Sequence, residues 1–254
     1  MQSKIIGSTM PVVEIALEPG DKIVAEPGEF SWMSANIVLR TTTQTAGAKS
    51  LLGAIGRAVA GGGLFMTEYT AEGGTGVIAF ATKVPGTIHQ FDVAAGRSYM
   101  IHRDGFLCAT EGGTLAMGFQ RSLGAGIFGG NGFIMQKLGG PCTAWIELGG
   151  ELVTYDLKPG ETIQVHPGHV GMFEDTVNFD IVTMRGISNA IFGGAGLFVA
   201  RLSGPGKVWL QTLTLAGLAH ALRPYLGTQS EAVQSGVLGG VAGSLLRGLT
   251  NNNS

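Results

Sequence analysis

A segment of nineteen residues occurs twice in this chain. Residues 127–145 read IFGGNGFIMQKLGGPCTAW and residues 191–209 read IFGGAGLFVARLSGPGKVW, so nine of nineteen positions are identical at an offset of 64. Four further matches share this offset, since Gly86, Asp92, Gly96 and His102 correspond to Gly150, Asp156, Gly160 and His166. A chain with internal repeats folds as similar units that pack against one another. The repeat therefore constrains the fold more than any single motif does.

A diverged third copy begins the chain. Residues 18–21 (EPGD) resemble residues 158–161 (KPGE), and residues 61–65 (GGGLF) resemble residues 194–198 (GAGLF). The two blocks are further apart in the first copy, which indicates an insertion of a few residues between Gly47 and Gly63. The sequence thus predicts one β domain over residues 1–226, with units at about 8–82, 83–148 and 149–213, and a mobile Gly/Ser/Asn-rich tail over 227–254.

Short runs rich in Val, Ile, Phe and Thr alternate with Pro-Gly and Gly-Gly pairs every 8–12 residues, which predicts an all-β fold. We expect three pseudo-repeated units to form an antiparallel barrel resembling a double-stranded β-helix. The predicted strands are Val12–Leu17, Ile37–Thr42, Val77–Thr82, Thr87–Val93, Ser98–Ile101, Phe133–Leu138, Ala144–Leu148, Leu152–Leu157, Thr162–Val165, Phe179–Met184, Leu197–Leu202 and Val208–Leu213. Trp145 and Trp209 occupy one position of the repeat, where we expect a packing role rather than a stacking surface for a ligand.

Two segments have helical periodicity. In the insertion, Lys49–Val59 places four apolar residues on one face, namely Leu51, Leu52, Ile55 and Val59. This amphipathic helix could cover one end of the barrel, dock on another subunit or partner protein, or lie on a membrane surface. A second short helix is predicted over Leu213–Leu226, where Pro224 weakens the last turn.

The composition excludes some partners and favours others. The formal net charge is −2 and there is no block of Lys and Arg, which disfavours nucleic acid as a partner. Charged residues make up 13% of the chain, against roughly 25% in an average soluble protein. So poorly charged a surface predicts that part of it is covered by other subunits or by another partner.

The chain starts with Met-Gln-Ser-Lys and has no run of apolar residues typical of a signal peptide or a membrane span, so we expect a cytoplasmic protein. Cys108 and Cys142 lack the paired spacing of a disulfide or zinc site, and we expect both to be small buried residues. No nucleophile elbow or P-loop is present, so the sequence predicts no catalytic residue, no cofactor and no enzyme activity.

Several motifs resemble the altered-inheritance-of-mitochondria protein 24 family. They are the Phe-Gly-Gly-x-Gly blocks and the segments PGEFSWM (27–33), GGGLFMTEY (61–69), GHVGMFED (168–175) and LSGPGKVWLQ (202–211). The resemblance extends from about residue 8 to residue 211. It implies a fold like the tryptophan RNA-binding attenuator proteins, assembled as homotrimers, and it carries over no catalytic residue. Mitochondrial members of the family are linked to inner-membrane organisation.

Superposing the three units places Glu26, His102 and His166 at one position of the repeat. Two histidines and one carboxylate are a common ligand set for transition metals. His169 follows His166 after a Pro-Gly turn, in a run similar in content to cupin metal motifs, although residues three apart do not share a face of a strand. These four residues are candidate metal ligands. The competing interpretation is that they lie at strand ends and turns and bind backbone groups.

Three functional hypotheses follow. The preferred one is a non-enzymatic, homo-oligomeric β-barrel that acts as a scaffold or binding module. The second is a cupin-like metal enzyme that uses Glu26, His102, His166 and His169. The third is an RNA-binding regulator, which rests on analogy of fold and is disfavoured by the acidic balance of the chain.

Overall fold

The fold is that of a computed structural model, and the structure describes residues 1–43, 65–121, 132–184 and 197–225. The strands fall into three sets along the chain. The first set is β1 (Gln2–Ile6), β2 (Val12–Leu17), β3 (Lys22–Ala25), β4 (Trp32–Met33), β5 (Ile37–Thr43), β6 (Phe65–Ala71) and β7 (Gly76–Ala81). The second set is β8 (Gly86–Val93), β9 (Ser98–His102), β10 (Phe106–Thr110), β11 (Thr114–Arg121), β12 (Phe133–Gly139) and β13 (Cys142–Gly149). The third set is β14 (Leu152–Leu157), β15 (Thr162–Val165), β16 (Val170–Glu174), β17 (Asn178–Met184), β18 (Leu197–Ser203) and β19 (Gly206–Gln211).

Each set repeats the same antiparallel pairing. Strands β2, β7 and β4 form one half of the first set, and β5, β6 and β3 form the other half. The corresponding halves are β8-β13-β10 and β11-β12-β9 in the second set, and β14-β19-β16 and β17-β18-β15 in the third. Registers repeat as well, since Ile101 pairs with Gln136 and Val165 pairs with Ala200, 64 residues further on. The internal repeat of the sequence is therefore a repeat of strand pairing.

Neighbouring sets are joined edge to edge at two places. At the first junction β3 pairs with β10, with Val24 opposite Ala109. At the second junction β9 pairs with β16, with Met100 opposite Phe173. These junctions create two six-stranded sheets, β5-β6-β3-β10-β13-β8 and β11-β12-β9-β16-β19-β14. A four-stranded sheet, β1-β2-β7-β4, and a three-stranded sheet, β15-β18-β17, complete the described strands.

The fold is all-β, as predicted, but the expected barrel is not closed. A closed ring of three sets would need a third junction between β15 and β4. In the described part of the chain β15 pairs only with β18, and β4 pairs only with β7. The repeat predicts the pairing within each set, and it does not determine whether the first and third sets meet.

Equivalent turns explain part of the repeat. Gly20, Gly96 and Gly160 follow the equivalent strands β2, β8 and β14 and have φ angles of 100°, 75° and 84°. A φ in this left-handed range is strained for residues with a side chain, so glycine is retained at all three turns. The Pro-Gly pairs at residues 19–20 and 159–160 lie at two of these turns.

The core consists of three hydrophobic clusters, one for each set. Strand β2 shows how a strand contributes to its cluster, because every second residue, Val13, Ile15 and Leu17, is buried. Each of the first two clusters also includes side chains from the next set. The first cluster contains Leu107, Cys108 and Trp145 of the second set, and the second cluster contains Met172 and Trp209 of the third. The predicted packing role of the two tryptophans is confirmed. Side chains of adjacent sets thus share a core across each junction.

One α-helix is described, α1 (Leu215–Leu222), followed by a 3₁₀ turn over Arg223–Tyr225. It corresponds to the predicted C-terminal helix, with Pro224 in the 3₁₀ turn. The predicted helix Lys49–Val59, with Leu51, Leu52, Ile55 and Val59, and the predicted tail over 227–254 lie outside the described residues. All nineteen described strands lie in a compact unit that spans Met1–Ala216.

Candidate functional site

The candidate metal ligands Glu26, His102 and His166 occupy equivalent places in the three sets, because each lies at the end of β3, β9 or β15. Glu26 accepts a hydrogen bond from Nε2 of Gln136 at 2.8 Å, across the first junction. Burial raises the pKa of the Glu26 carboxyl above its ordinary value. Glu26 is thus bound to an amide of the neighbouring set.

His102 has different neighbours. Its ring is mostly buried and lies 6.3 Å from the ring of Phe133, and its Nδ1 accepts a hydrogen bond from the backbone N–H of Asp104 at 3.4 Å. Burial lowers the pKa of His102. The imidazole is therefore uncharged at neutral pH, and it packs near Phe133 while its Nδ1 accepts the bond from Asp104.

His166 and His169 lie together. Their ring centroids are 5.8 Å apart in an edge-to-face arrangement. Nδ1 of His169 donates to the backbone carbonyl of Gln211 at 2.7 Å, so this nitrogen carries its proton. Burial and the neighbouring His169 lower the pKa of His166. The bond made by His169 matches the interpretation in which histidines at turns bind backbone groups.

The structure does not bring the four candidates together. No three His, Cys, Asp or Glu side chains of the described residues form a group that could hold a metal ion. The alignment that placed Glu26, His102 and His166 at one position of the repeat is correct. Equivalence in the repeat does not bring these three side chains to one metal site among the described residues, because each contacts residues around its own strand end.

A charged cluster that the sequence did not predict lies beside the first junction. We define the junction cluster as Glu26, Glu29, Lys83 and Glu147. Nζ of Lys83 lies 2.8 Å from Glu29 and 3.6 Å from Glu147, and the backbone N–H of Lys83 donates to Glu147 at 2.8 Å. The side chain of Glu147 is almost fully buried, and its Oε1 accepts no hydrogen bond. The carboxylates of Glu29 and Glu147 thus share one ammonium group. The charge of Lys83 also acts on the nearby carboxylate of Glu26.

The repeat explains how Glu147 is accommodated. Gln211 takes the same place in the third set, and its Oε1 accepts a hydrogen bond from the N–H of Gly149 at 2.9 Å. Its Nε2 also donates to the carbonyl of Gly168 at 2.9 Å, so both ends of the amide are satisfied. Glu147 likewise accepts a hydrogen bond from a backbone N–H, that of Lys83. An ionised carboxylate has no proton to donate, so Glu147 cannot make a bond like the one from Nε2 of Gln211 to a carbonyl. The first junction therefore holds a charge where the second holds a neutral amide.

Burial dominates the electrostatics of the junction cluster. It raises the pKa of Glu26 and of Glu147, because both carboxylates lose hydration. Burial also acts to lower the pKa of Lys83, but the hydrogen bond with Glu29 and the charges of Glu29 and Glu147 outweigh it, so the net pKa is raised. A carboxyl group whose pKa is raised in the folded state contributes most to the free energy of unfolding at low pH. That contribution is lost as the pH rises through the folded-state pKa of the group.

We therefore predict that Glu147→Gln makes the protein more stable at pH 7.5 by about 1 kcal/mol, since the amide can donate the bond that the carboxylate cannot. The variant should also lose less stability than the wild type between pH 5 and pH 8, where Lys83 stays charged. Urea unfolding at several pH values measures both. Glu111→Gln, at an exposed ion pair with Lys22, is the control and should have little effect. A variant less stable than the wild type at pH 7.5 would mean that the ion pair with Lys83 outweighs the burial of charge.

The outer edges of β4 and β15, which pair with no other strand of the described ranges, are a second feature of interest. Trp32 on β4 is 48% exposed, whereas Cys108 and Met172, which take its place on β10 and β16, are fully buried. The equivalence follows from pairing, because Trp32, Cys108 and Met172 lie opposite Ala79, Trp145 and Trp209 at one register position. Trp32 is thus a large aromatic side chain at a position that is buried elsewhere in the molecule.

Sequence signals for both features exist but are weak. Glu147 is a charged residue within an otherwise apolar strand, Cys142–Gly149, and the repeat aligns it with Gln211. Trp32 follows Pro-Gly in a segment that reads as a turn. Neither signal shows which residues lie opposite across a junction, and that information comes only from the fold.

Comparison with known proteins identifies the family. A family model described as Mitochondrial biogenesis AIM24 matches residues 3–213, which include all the strands described above apart from Gln2 of β1. The chain belongs to this family. An uncharacterised protein of Streptococcus pyogenes serotype M6 is 29% identical over 226 residues, covering 87% of this chain and 88% of that protein. An X-ray crystal structure of a Streptococcus pyogenes protein matches with a TM-score of 0.69 and 26% identity, covering 89% of this chain and 99% of the solved one.

These relatives support the fold and leave the activity open, since the serotype M6 protein is described as uncharacterised. The resemblance to the AIM24 family expected from the sequence is confirmed. Within the described ranges, no helix has the length and apolar character needed to cross a bilayer.

Proposed function

We propose that this AIM24-family protein is a non-enzymatic scaffold that works as a homo-oligomer, with a trimer favoured. One observation carries the proposal. Every large apolar side chain that is exposed within a described strand lies on an edge strand, namely β1, β4, β5, β11, β14 or β17. In monomeric proteins, edge strands are usually protected by charges, prolines or covering segments, because an unprotected edge strand pairs with strands of other chains.

The chemistry of the side chains supports a role without catalysis. Burial raises the pKa of Cys142 to about 11 and that of Cys108 well above its ordinary value, so neither thiol is an activated nucleophile. The carboxylates of the junction cluster are bound by Lys83 and Gln136 within the protein. These contacts join the first and second sets of strands. We further propose that the protein acts in the cytoplasm, where thiols such as these two stay reduced.

Light scattering coupled to size-exclusion chromatography tests the proposal. At micromolar concentration and physiological salt, we expect a species with about three times the 26.2 kDa mass of the chain. The mass should fall on dilution if assembly is reversible. A stable monomer at the highest concentration reached would contradict the proposal.

A further inference from the structure

The pairing pattern leaves room for a third junction, which the described strands of one chain do not form. Strand β3 pairs with β10 and β9 pairs with β16, so the first-to-second and second-to-third contacts use one kind of edge pairing. The strand that corresponds to β3 and β9 in the third set is β15. The strand that corresponds to β10 and β16 in the first set is β4. Within the described residues these two strands do not pair with each other.

Burial shows that both edges are open to solvent. All four residues from Phe106 to Ala109 on β10 are buried, as are all four from Val170 to Phe173 on β16, because a strand of the neighbouring set covers them. On β4, in contrast, Trp32 is exposed and Met33 only half-buried. On β15 exposed and half-buried residues alternate, whereas three of the four residues of β3 are buried.

The outer edge of β15 presents backbone N–H and C=O groups that could pair with another strand. At the second junction the carbonyl of Ser98 on β9 accepts a hydrogen bond from the N–H of Asp175 at 3.2 Å. Thr162 takes the place of Ser98 on β15. Backbone groups of alternate residues in a strand point to the same side, so the groups of Thr162 and Gln164 point away from β18. The open edge therefore presents the same row of donors and acceptors that β9 uses.

We propose that β15 of one copy pairs in antiparallel fashion with β4 of a second copy and forms the missing junction between chains. This interface rests on the self-association proposed above and names the surfaces that it uses. The register follows from the internal junctions. Met100 lies opposite Phe173, which places Gln164 opposite Met33, and Ile101 lies opposite Met172, which places Val165 opposite Trp32.

A second copy is the partner because it carries the complementary strand in the complementary register. The two internal junctions show that strands of these two types pair in this fold, and their flanking side chains share the core of the neighbouring set. Trp32 supplies the large aromatic anchor that interfaces use at their centre. A contact between two different surfaces is heterologous, so it adds copies head to tail and closes into a ring when the rotation allows.

Disulfide trapping between chains tests the register. Chains with Met33→Cys are mixed under mild oxidation with chains with Gln164→Cys. Opposed residues of antiparallel strands have Cα atoms about 4.5–5.5 Å apart, within the range of a disulfide. We expect a covalent dimer from the mixture. Thr162→Cys replaces Gln164→Cys in the matched control, since it lies two residues along the same face of β15 and should trap at least tenfold less.

Further controls separate the remaining outcomes. Wild-type chains keep Cys108 and Cys142 and report any dimer that the native thiols form. Light scattering of the reduced variants shows whether they still assemble. Association without a trapped dimer would overturn this interface and leave the scaffold proposal in place, whereas a monomeric wild type would contradict both. A chain that carries Met33→Cys and Gln164→Cys together and forms only an intrachain disulfide would show that the ring closes within one chain, which also overturns the interface.

Discussion

Replacing Trp145 with alanine is expected to lower the free energy of unfolding by about 4 kcal/mol. Its side chain is 1% exposed and belongs to the first hydrophobic cluster, although the residue comes from the second set of strands. Its Nε1 also donates to Oε1 of Gln90 at 3.2 Å. The substitution therefore leaves a cavity at the point where two sets share a core. Most domains have about 5–15 kcal/mol of stability in total, so the loss is large.

Urea unfolding at low protein concentration measures this effect, with Trp32→Ala as the matched control. Both substitutions remove an indole, but Trp32 is 48% exposed. We expect the control to lose less than about 1 kcal/mol when the protein is dilute. Equal losses at the two positions would mean that the core is not shared across the first junction as described.

Replacing Trp32 with lysine is expected to weaken self-association by about 30-fold or more, while the fold of the single chain stays intact. Aromatic residues at the centre of an interface commonly contribute about 2 kcal/mol or more, which corresponds to that ratio. Lysine on an edge strand adds a charge that opposes pairing with another strand. The two effects act at the same place, so Trp32 is the most sensitive position of the proposed interface.

Light scattering over a dilution series gives the association constant. Tyr155→Lys is the control, because Tyr155 is 45% exposed on the edge strand β14 and lies outside the proposed interface. It should assemble like the wild type. An unchanged association constant for Trp32→Lys, or an equal loss for Tyr155→Lys, would show that the chains meet through a different edge.

Runs rich in Val, Ile, Phe and Thr predicted strands such as β2. In β2 the buried Val13, Ile15 and Leu17 alternate with half-buried residues, and all twelve predicted strands are present. Seven strands were not predicted: β1, β3, β4, β6, β10, β11 and β16. Two of them, β10 and β16, are buried along almost their whole length because they lie at junctions, so they lack the alternation that marks a strand. Others are short, and β4 has only two residues.

The candidate sites were harder to predict for a related reason. The repeat correctly aligned Glu26 with His102 and His166, but alignment cannot show whether equivalent strand ends meet in space. The junction cluster joins Glu29, Lys83 and Glu147, which are far apart in sequence and belong to no motif. Their proximity follows from the pairing of β3 with β10, a contact between sets that no local pattern encodes.

Mass spectrometry of the trapped dimer shows whether β15 of one chain pairs with β4 of another. Digestion of the mixture of Met33→Cys and Gln164→Cys chains should yield one cross-linked peptide pair, which joins the segment around residue 33 of one chain to the segment around residue 164 of another. Its yield should fall when Trp32→Lys is added. If the assembled wild type forms while this peptide pair is missing and peptides from other edge strands are cross-linked instead, the third junction does not lie between β15 and β4.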